Sequence, residues 1–331
     1  MRSMLRGGAI GAILLLSACA GGGSGTKSTA AVDDLSDIPR VAPPGALKDP
    51  TNDGLNAVLW TQTSAEYRAL AMQAFNQAAR TLAIAKADPT FSALPESEQG
   101  KMPADAPLAI ITDIDETVLD NSAFSVDLIQ NPIDPALPPA EARKAFEQRW
   151  NDWVAEREAL PIPGAVELLA AADKAGITVF YITNRKDPEK TETCNNLVQA
   201  KLPLKDCATQ VITRNDAEGR TKDKGSRRRT VAATHRVVLV MGDNLGDFAD
   251  GVYTPREERD RIVDTHASWW GERWIVLPNP MYGSWEDALE AAATDAVSPT
   301  LGVQMQRRRL ERARQMRGVD WWAHPQPIDK K

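Results

Sequence analysis

The chain has 331 residues, 43% hydrophobic and 25% charged, ordinary values for a globular fold and enough for one large domain or two modest ones. Nine tryptophans, with only 21 glycines and 22 prolines, exclude a disordered, collagenous or coiled-coil chain. A net charge of −6 is the wrong sign for a protein whose partner is a nucleic-acid polymer.

Arg2 and Arg6 precede the apolar stretch Ala9–Leu16, which is too short to span a ~30 Å hydrocarbon core and reads as part of a signal peptide over residues 1–18. Leu16-Ser17-Ala18-Cys19 matches a bacterial lipobox, so Cys19 is expected to carry acyl chains that tether the protein to a membrane. Ala20, not aspartate, follows it, and the usual sorting rule then directs the protein to the outer membrane. Residues 19–53 are rich in Gly, Ser, Pro and Asp without apolar period, as in a flexible tether. Export also makes a disulfide the leading reading for Cys194 and Cys207, the two remaining cysteines.

A domain is expected over residues 54–295. It opens with apolar positions from Leu55 through Leu70 to Ala85 spaced by threes and fours, which predict one long amphipathic helix. Short unbroken apolar runs follow at Leu108–Ile111, Ile177–Ile182, Val237–Met241 and Trp274–Leu277. They suit strands covered on both faces, and the helical stretches 164–174, 189–201 and 256–271 lie between them. The pattern predicts an α/β fold with a doubly wound parallel sheet and crossover helices. Residues 122–163 form an insertion that can sit over the sheet as a small helical cap. Residues 296–331, with six arginines between Arg307 and Arg317, read as a basic C-terminal helix and tail with a solvated face.

Ligands on such sheets bind at the carboxyl ends of the strands. The first apolar run leads into Asp113-Ile114-Asp115-Glu116-Thr117, the second into Thr183-Asn184-Arg185, and the third into Gly242-Asp243-Asn244-Leu245-Gly246-Asp247. Lys224 and Arg227 lie upstream of the third. Together these suit phosphoryl transfer through a covalent intermediate. A carboxylate attacks phosphorus only when the surrounding negative charge is offset, so Mg2+ is expected beside Asp113 and Asp243. Asp115 is placed to protonate the departing oxygen and then deprotonate water. Thr183 and Asn184 can meet phosphoryl oxygens, Lys224 or Arg227 can supply positive charge, and Asp247 can hold the metal or the cation.

These motifs resemble the haloacid dehalogenase (HAD) superfamily, and the whole set is similar to its class C acid phosphatases, the outer-membrane lipoprotein e family. The resemblance spans about residues 53–293. It includes the stretches Asp113–Ser122, Arg149–Glu167, Tyr181–Asp187, Met241–Phe248 and Leu277–Leu289. It implies a HAD-like fold with an N-terminal helical segment, and phosphomonoester hydrolysis with nucleoside 5'-monophosphates as substrates. Asp113 is then the nucleophile, Asp115 the acid/base and also a metal ligand through its carbonyl, and Asp243 with Asp247 the remaining acidic pair. Trp150 and Tyr282 match aromatics that stack on a nucleoside base. Arg227 stands where the family usually has a second lysine, and Ala123-Phe124 where it commonly has tyrosine or tryptophan. A non-catalytic binding lipoprotein on the same scaffold would have been indicated by loss of either of the first two aspartates, and both are present. Dehalogenase or phosphonatase relatives lack an acid at the position of Asp115.

Overall fold

The four apolar runs become four neighbouring parallel strands. The computed structural model describes residues 53–103, 105–290 and 298–315; the signal peptide, Cys19 and almost all of the tether lie outside them. In chain order the strands are β1 (Leu108–Thr112), β2 (Leu119–Asp120), β3 (Leu160–Pro161), β4 (Thr178–Lys186), β5 (Val211–Arg214), β6 (Arg236–Gly242) and β7 (Trp274–Val276). Five form one parallel sheet in the order β5-β4-β1-β6-β7, and β2 and β3 pair antiparallel as a short ribbon. The chain winds outward from β1 to β4 and β5, then returns across β1 to β6 and β7. That reversal makes β1 the switch point, where ligands of doubly wound sheets bind.

Strand alternation sorts the core into two layers. Ile110, Val179, Tyr181, Leu239 and Met241 face one layer, with Ala71, Phe75 and Ala78 of the helix Ala65–Ala87 and Leu168 and Leu169 of the helix Ala165–Lys174. Ala109, Ile111, Phe180, Ile182, Val237, Val240 and Trp274 face the other, with Val231 and Ala232 of the helix Gly225–Ala232. Small residues let the long helix approach closely. Gly164 (φ +98°) is needed beside it, because a Cβ there would lie 2.9 Å from the Phe75 ring. The helix Lys190–Gln199 is stapled to the segment before β5 by a Cys194–Cys207 disulfide with a Cα–Cα distance of 5.9 Å.

Three expectations need correction. The helix over 55–85 is two helices, Leu55–Thr63 and Ala65–Ala87, broken at Ser64. Ser64 is extended, and its hydroxyl accepts from Tyr67 N at 3.0 Å, so a local N-cap outweighs apolar periodicity. Leu70 is 41% exposed, and Ala71 and Phe75 join the expected Tyr67 and Ala78 in the buried stripe. β5 has no counterpart among the predicted strands: only Val211 and Ile212 are apolar, and among the described residues it is an edge strand, so no unbroken apolar run marks it.

The C-terminal helix, Leu301–Gln315, is not a solvated appendage. Leu301 N donates to Leu137 O (2.7 Å) and Gly302 N to Pro135 O (2.8 Å). Arg312 pairs with Glu286 at 2.6 Å. A Cβ on Gly302 would lie 3.2 Å from the Pro135 carbonyl oxygen, so glycine permits this docking. The insertion contains the helices Ser122–Gln130 and Pro139–Glu156, and the β2–β3 ribbon ties its two ends together.

Candidate active site

Asp113 directly follows β1, where its N–H extends the sheet pairing to Met241 O at 2.9 Å. Its carboxylate, with those of Asp243 and Asp247, brings ligand oxygens within 4.8 Å of one another. Gly242 makes this possible. A Cβ there would fall 2.2 Å from Asp247 Oδ2, so only glycine lets that carboxylate lie against the end of β6. Asn244 N donates to Asp247 Oδ2 at 2.9 Å, which turns Oδ1 toward Lys224. Lys224, 4% exposed at the start of the helix Gly225–Ala232, sits 2.6 Å from both Asp113 Oδ1 and Asp247 Oδ1. Asp243 has two other donors, Thr117 Oγ1 at 3.1 Å and Asn279 Nδ2 at 2.8 Å.

Charge in this group is out of balance. Burial pushes the Asp113 carboxyl well above the usual range, with Lys224 opposing the shift. Burial and then the Asp247 carboxylate raise Asp243 to about 7. Burial would lower Lys224, but the carboxylates of Asp113 and Asp247 outweigh it and hold the ammonium charged. Two buried carboxylates and a half-buried one against one ammonium form a hard-oxygen donor set with net negative charge, and a divalent cation fits it in both respects.

Asp115 is held on the opposite side by different donors. Arg185, 2% exposed, reaches Asp115 Oδ1 with Nη2 at 2.7 Å and Nε at 3.0 Å. Asn121 Nδ2 donates to the same oxygen at 2.9 Å. Oδ2 has only longer contacts, Arg185 Nε at 3.2 Å and Thr183 Oγ1 at 3.4 Å. Glu116 adopts φ +57°, and its Oε1 accepts from Asn121 N at 2.7 Å. Burial first, then the Asp115 charge, push its carboxyl well above the ordinary range. Oε2 is buried without a hydrogen-bond partner, as suits a neutral acid.

The remaining predicted residues divide between the crevice and its support. Thr183 is fully buried at the carboxyl-terminal part of β4, where its hydroxyl accepts from Arg185 N at 3.0 Å. Arg227 spends its guanidinium donors on other groups: Nη1 donates to Thr183 O, and Nη2 donates to Asn184 Oδ1 at 2.7 Å and Thr221 O at 2.8 Å. Of the two cations left open by the sequence, Lys224 pairs directly with Asp113 and Asp247, while Arg227 feels both charges and donates to the Thr183 carbonyl and the Asn184 side chain. Burial lowers Arg227 to about 10.

Trp150, on the helix Pro139–Glu156, lies 5.4 Å from the Arg185 guanidinium and packs edge-on to Phe124 at 5.1 Å. Tyr282 is 39% exposed, three residues beyond Asn279. Arg185, Asn121, Glu116, Thr117 and Asn279 were not singled out from sequence. Strand parity signals Arg185, which lies on the same face of β4 as Thr183. The others are buried polar residues, Asn279 only half-buried, with no spacing rule of their own.

Residues 31–285 match the family described as HAD superfamily, subfamily IIIB (Acid phosphatase). Among solved structures, the chain is similar to the class C acid phosphatase from Bacillus anthracis at 29% identity and TM-score 0.66, covering 82% of this chain and 99% of that one. A structure of the class C acid phosphatase from Bacillus anthracis with tungstate bound matches at 28% identity and TM-score 0.65, with the same coverage. Four aspartates at the ends of β1 and β6, on a sheet of order β5-β4-β1-β6-β7 and within a match spanning most of the sequence, place this chain in the HAD superfamily, subfamily IIIB, among the acid phosphatases.

Proposed function

We propose that this acid phosphatase hydrolyses nucleoside 5'-monophosphates and related phosphomonoesters through a phosphoryl group carried on Asp113, with Mg2+ in the carboxylate group. The observation that carries the reading is the division of labour between Asp113 and Asp115. Asp113 shares a buried ammonium with Asp247 beside Asp243, while Asp115, two residues along, is gripped from the opposite side by Arg185 and Asn121. Tungstate, an oxyanion of phosphate-like shape, in the structure of the Bacillus anthracis relative agrees with an anion at such a site.

Asp113, Asp243 and Asp247, with the Asp115 carbonyl, would hold the metal, which when bound offsets the negative charge of nucleophile and phosphate. Asp113 forms the bond to phosphorus as the ester oxygen leaves. That oxygen takes the proton of the Asp115 carboxyl, which then removes a proton from the water that cleaves the acyl phosphate. Lys224 neutralises oxyanion charge, and Thr183 and Asn184 at the end of β4 supply phosphate contacts. Arg227 supports these contacts by holding the Thr183 carbonyl and the Asn184 side chain.

The nucleoside preference rests on Trp150 beside Arg185 and on exposed Tyr282 in the loop that supplies Asn279. Base stacking contributes roughly 1–3 kcal/mol per base. Membrane attachment through acylated Cys19, and residence at the outer membrane, belong to the same reading. Among the described residues, no helix is long and apolar enough to cross a membrane.

A panel of nucleoside monophosphates and small alkyl phosphates, assayed with and without chelator, tests this reading. Chelation should abolish turnover of all of them. Trp150→Ala and Tyr282→Ala should raise KM for the nucleotide by roughly five- to 150-fold, leaving the alkyl ester nearly unchanged. Equal losses on both substrate types would remove the nucleotide preference.

A further inference from the structure

The insertion reaches the site through one amide. Asn121 immediately follows β2, is 2% exposed, and has each polar atom occupied. Its Oδ1 accepts from Trp153 Nε1 at 2.8 Å and from Arg185 Nη2 at 3.3 Å, and its Nδ2 donates to Asp115 Oδ1 at 2.9 Å. Trp153 and Arg185 can only donate, so the amide has one orientation that satisfies all its partners, and Nδ2 must face the carboxylate. Its backbone N–H is held by Glu116 Oε1. Trp153 belongs to the helix Pro139–Glu156, which lies between β2 and β3 in the chain, and its ring packs on Phe124.

The carboxylate at the end of this chain is unevenly served. Oδ1 of Asp115 collects the Asn121 amide and the two short Arg185 contacts, whereas Oδ2 retains only contacts of 3.2 and 3.4 Å. An oxygen already accepting three hydrogen bonds is a poor seat for a proton, and the less engaged oxygen is the better one.

We propose that Asn121 and Trp153 are positioning residues of the reaction, coupling the insertion helix to Asp115 so that Oδ1 stays pinned and Oδ2 faces the departing oxygen. The inference rests on the reading of Asp115 as the proton donor. It assigns a task to the insertion beyond covering the crevice: the helix that carries Trp150 also sets the rotamer of the acid through Trp153, one turn further along.

The test compares kcat/KM on two substrates whose leaving groups differ in their need for a proton. An alkyl phosphate expels a strongly basic alkoxide and needs protonation; 4-nitrophenyl phosphate expels a weakly basic aryloxide and needs little. Trp153→Phe keeps a ring against Phe124 but deletes the Nε1 donor, and Asn121→Ala deletes the amide. Each should lower the alkyl-to-aryl ratio of kcat/KM by about tenfold, part of the 10²–10⁴ that general acid catalysis supplies. Asp115→Asn is the control and should lower the same ratio further.

If Asp115→Asn skews the ratio while Trp153→Phe and Asn121→Ala reduce both substrates equally, the positioning role is overturned and the role of Asp115 stands. If Asp115→Asn leaves the ratio unchanged, the acid assignment fails and the inference falls with it. Thermal midpoints near wild type in Trp153→Phe would show that a skewed ratio does not come from a damaged fold.

Discussion

On the β6 side of the crevice, Asp113, Asp243 and Asp247 lie around the single ammonium of Lys224; on the β4 side, Asp115 alone meets the Arg185 guanidinium and the Asn121 amide. The first group carries surplus negative charge in a buried place, and Asp243 rises to about 7 in consequence. The second is matched one to one. Two carboxylates only two residues apart in the sequence are thus prepared for different work: Asp113 awaits further positive charge, while Asp115 is fixed in direction by neutral and cationic donors. The contrast follows from β1 ending between β4 and β6, so that Asp113 meets groups from one neighbour and Asp115 groups from the other.

The largest effect should come from removing the two roles themselves. Asp113→Asn should lower turnover by more than about a thousandfold, with no recovery at high metal concentration, because the oxygen proposed to attack phosphorus is gone. Asp115→Asn should lower kcat/KM by about 10²–10⁴ for an alkyl phosphate. Steady-state kinetics with titrated Mg2+ measure both, and activity of either variant within tenfold of wild type would break the division.

A second pair of variants sharpens the contrast. Asp243→Asn should raise the Mg2+ concentration for half-maximal activity by roughly 10–100-fold, with activity returning as metal is added. Arg185→Lys, which loses the planar fork, should lower kcat/KM by about tenfold with an unchanged metal requirement. Metal rescue of the Arg185 variant would mean that the two sides are not separate.

The smallest effect is a pH dependence confined to the β6 side. Burial pushes Asp243 up to about 7 in the fold from an ordinary aspartate value of 3.8, so the folded chain binds more protons than the unfolded chain between those values. Stability of the chelator-treated protein should therefore fall as pH rises from about 4 through about 7. Mg2+ should raise the thermal midpoint more at pH 7.5 than at pH 5, since it binds the deprotonated carboxylates. A larger gain at pH 5, read by scanning calorimetry, would count against a metal at Asp243.

What the sequence revealed tracks this same contrast. The four aspartates, Thr183 and Lys224 could be found because each follows or precedes an apolar run, and strand ends are where such sheets bind ligands. The parallel sheet was equally legible, apart from β5, whose two apolar residues fall below what periodicity detects. The partners of Asp115 were hidden. Asn121, Glu116 and Trp153 acquire their roles only when β2 pairs with β3 and brings the insertion back onto the loop after β1, contacts that span up to 32 residues. Spacing also left Arg227 open beside Lys224; in the fold Lys224 takes the direct ion pairs, while Arg227 donates to the Thr183 carbonyl. The docking of the Leu301–Gln315 helix was concealed as well, because arginine-rich composition reads as solvated face until Asp53 and Glu286 come opposite it.

The central claim is that a phosphoryl group passes through Asp113, and rapid acid quenching tests it most directly. Enzyme mixed with excess phosphomonoester and Mg2+, quenched in acid within the first turnover and digested at low pH, should yield one phosphorylated peptide, the one containing Asp113, and the modification should be absent from Asp113→Asn. A phosphoryl group on any other residue, or full turnover with no acid-trapped adduct under conditions where formation outpaces hydrolysis, would contradict the account.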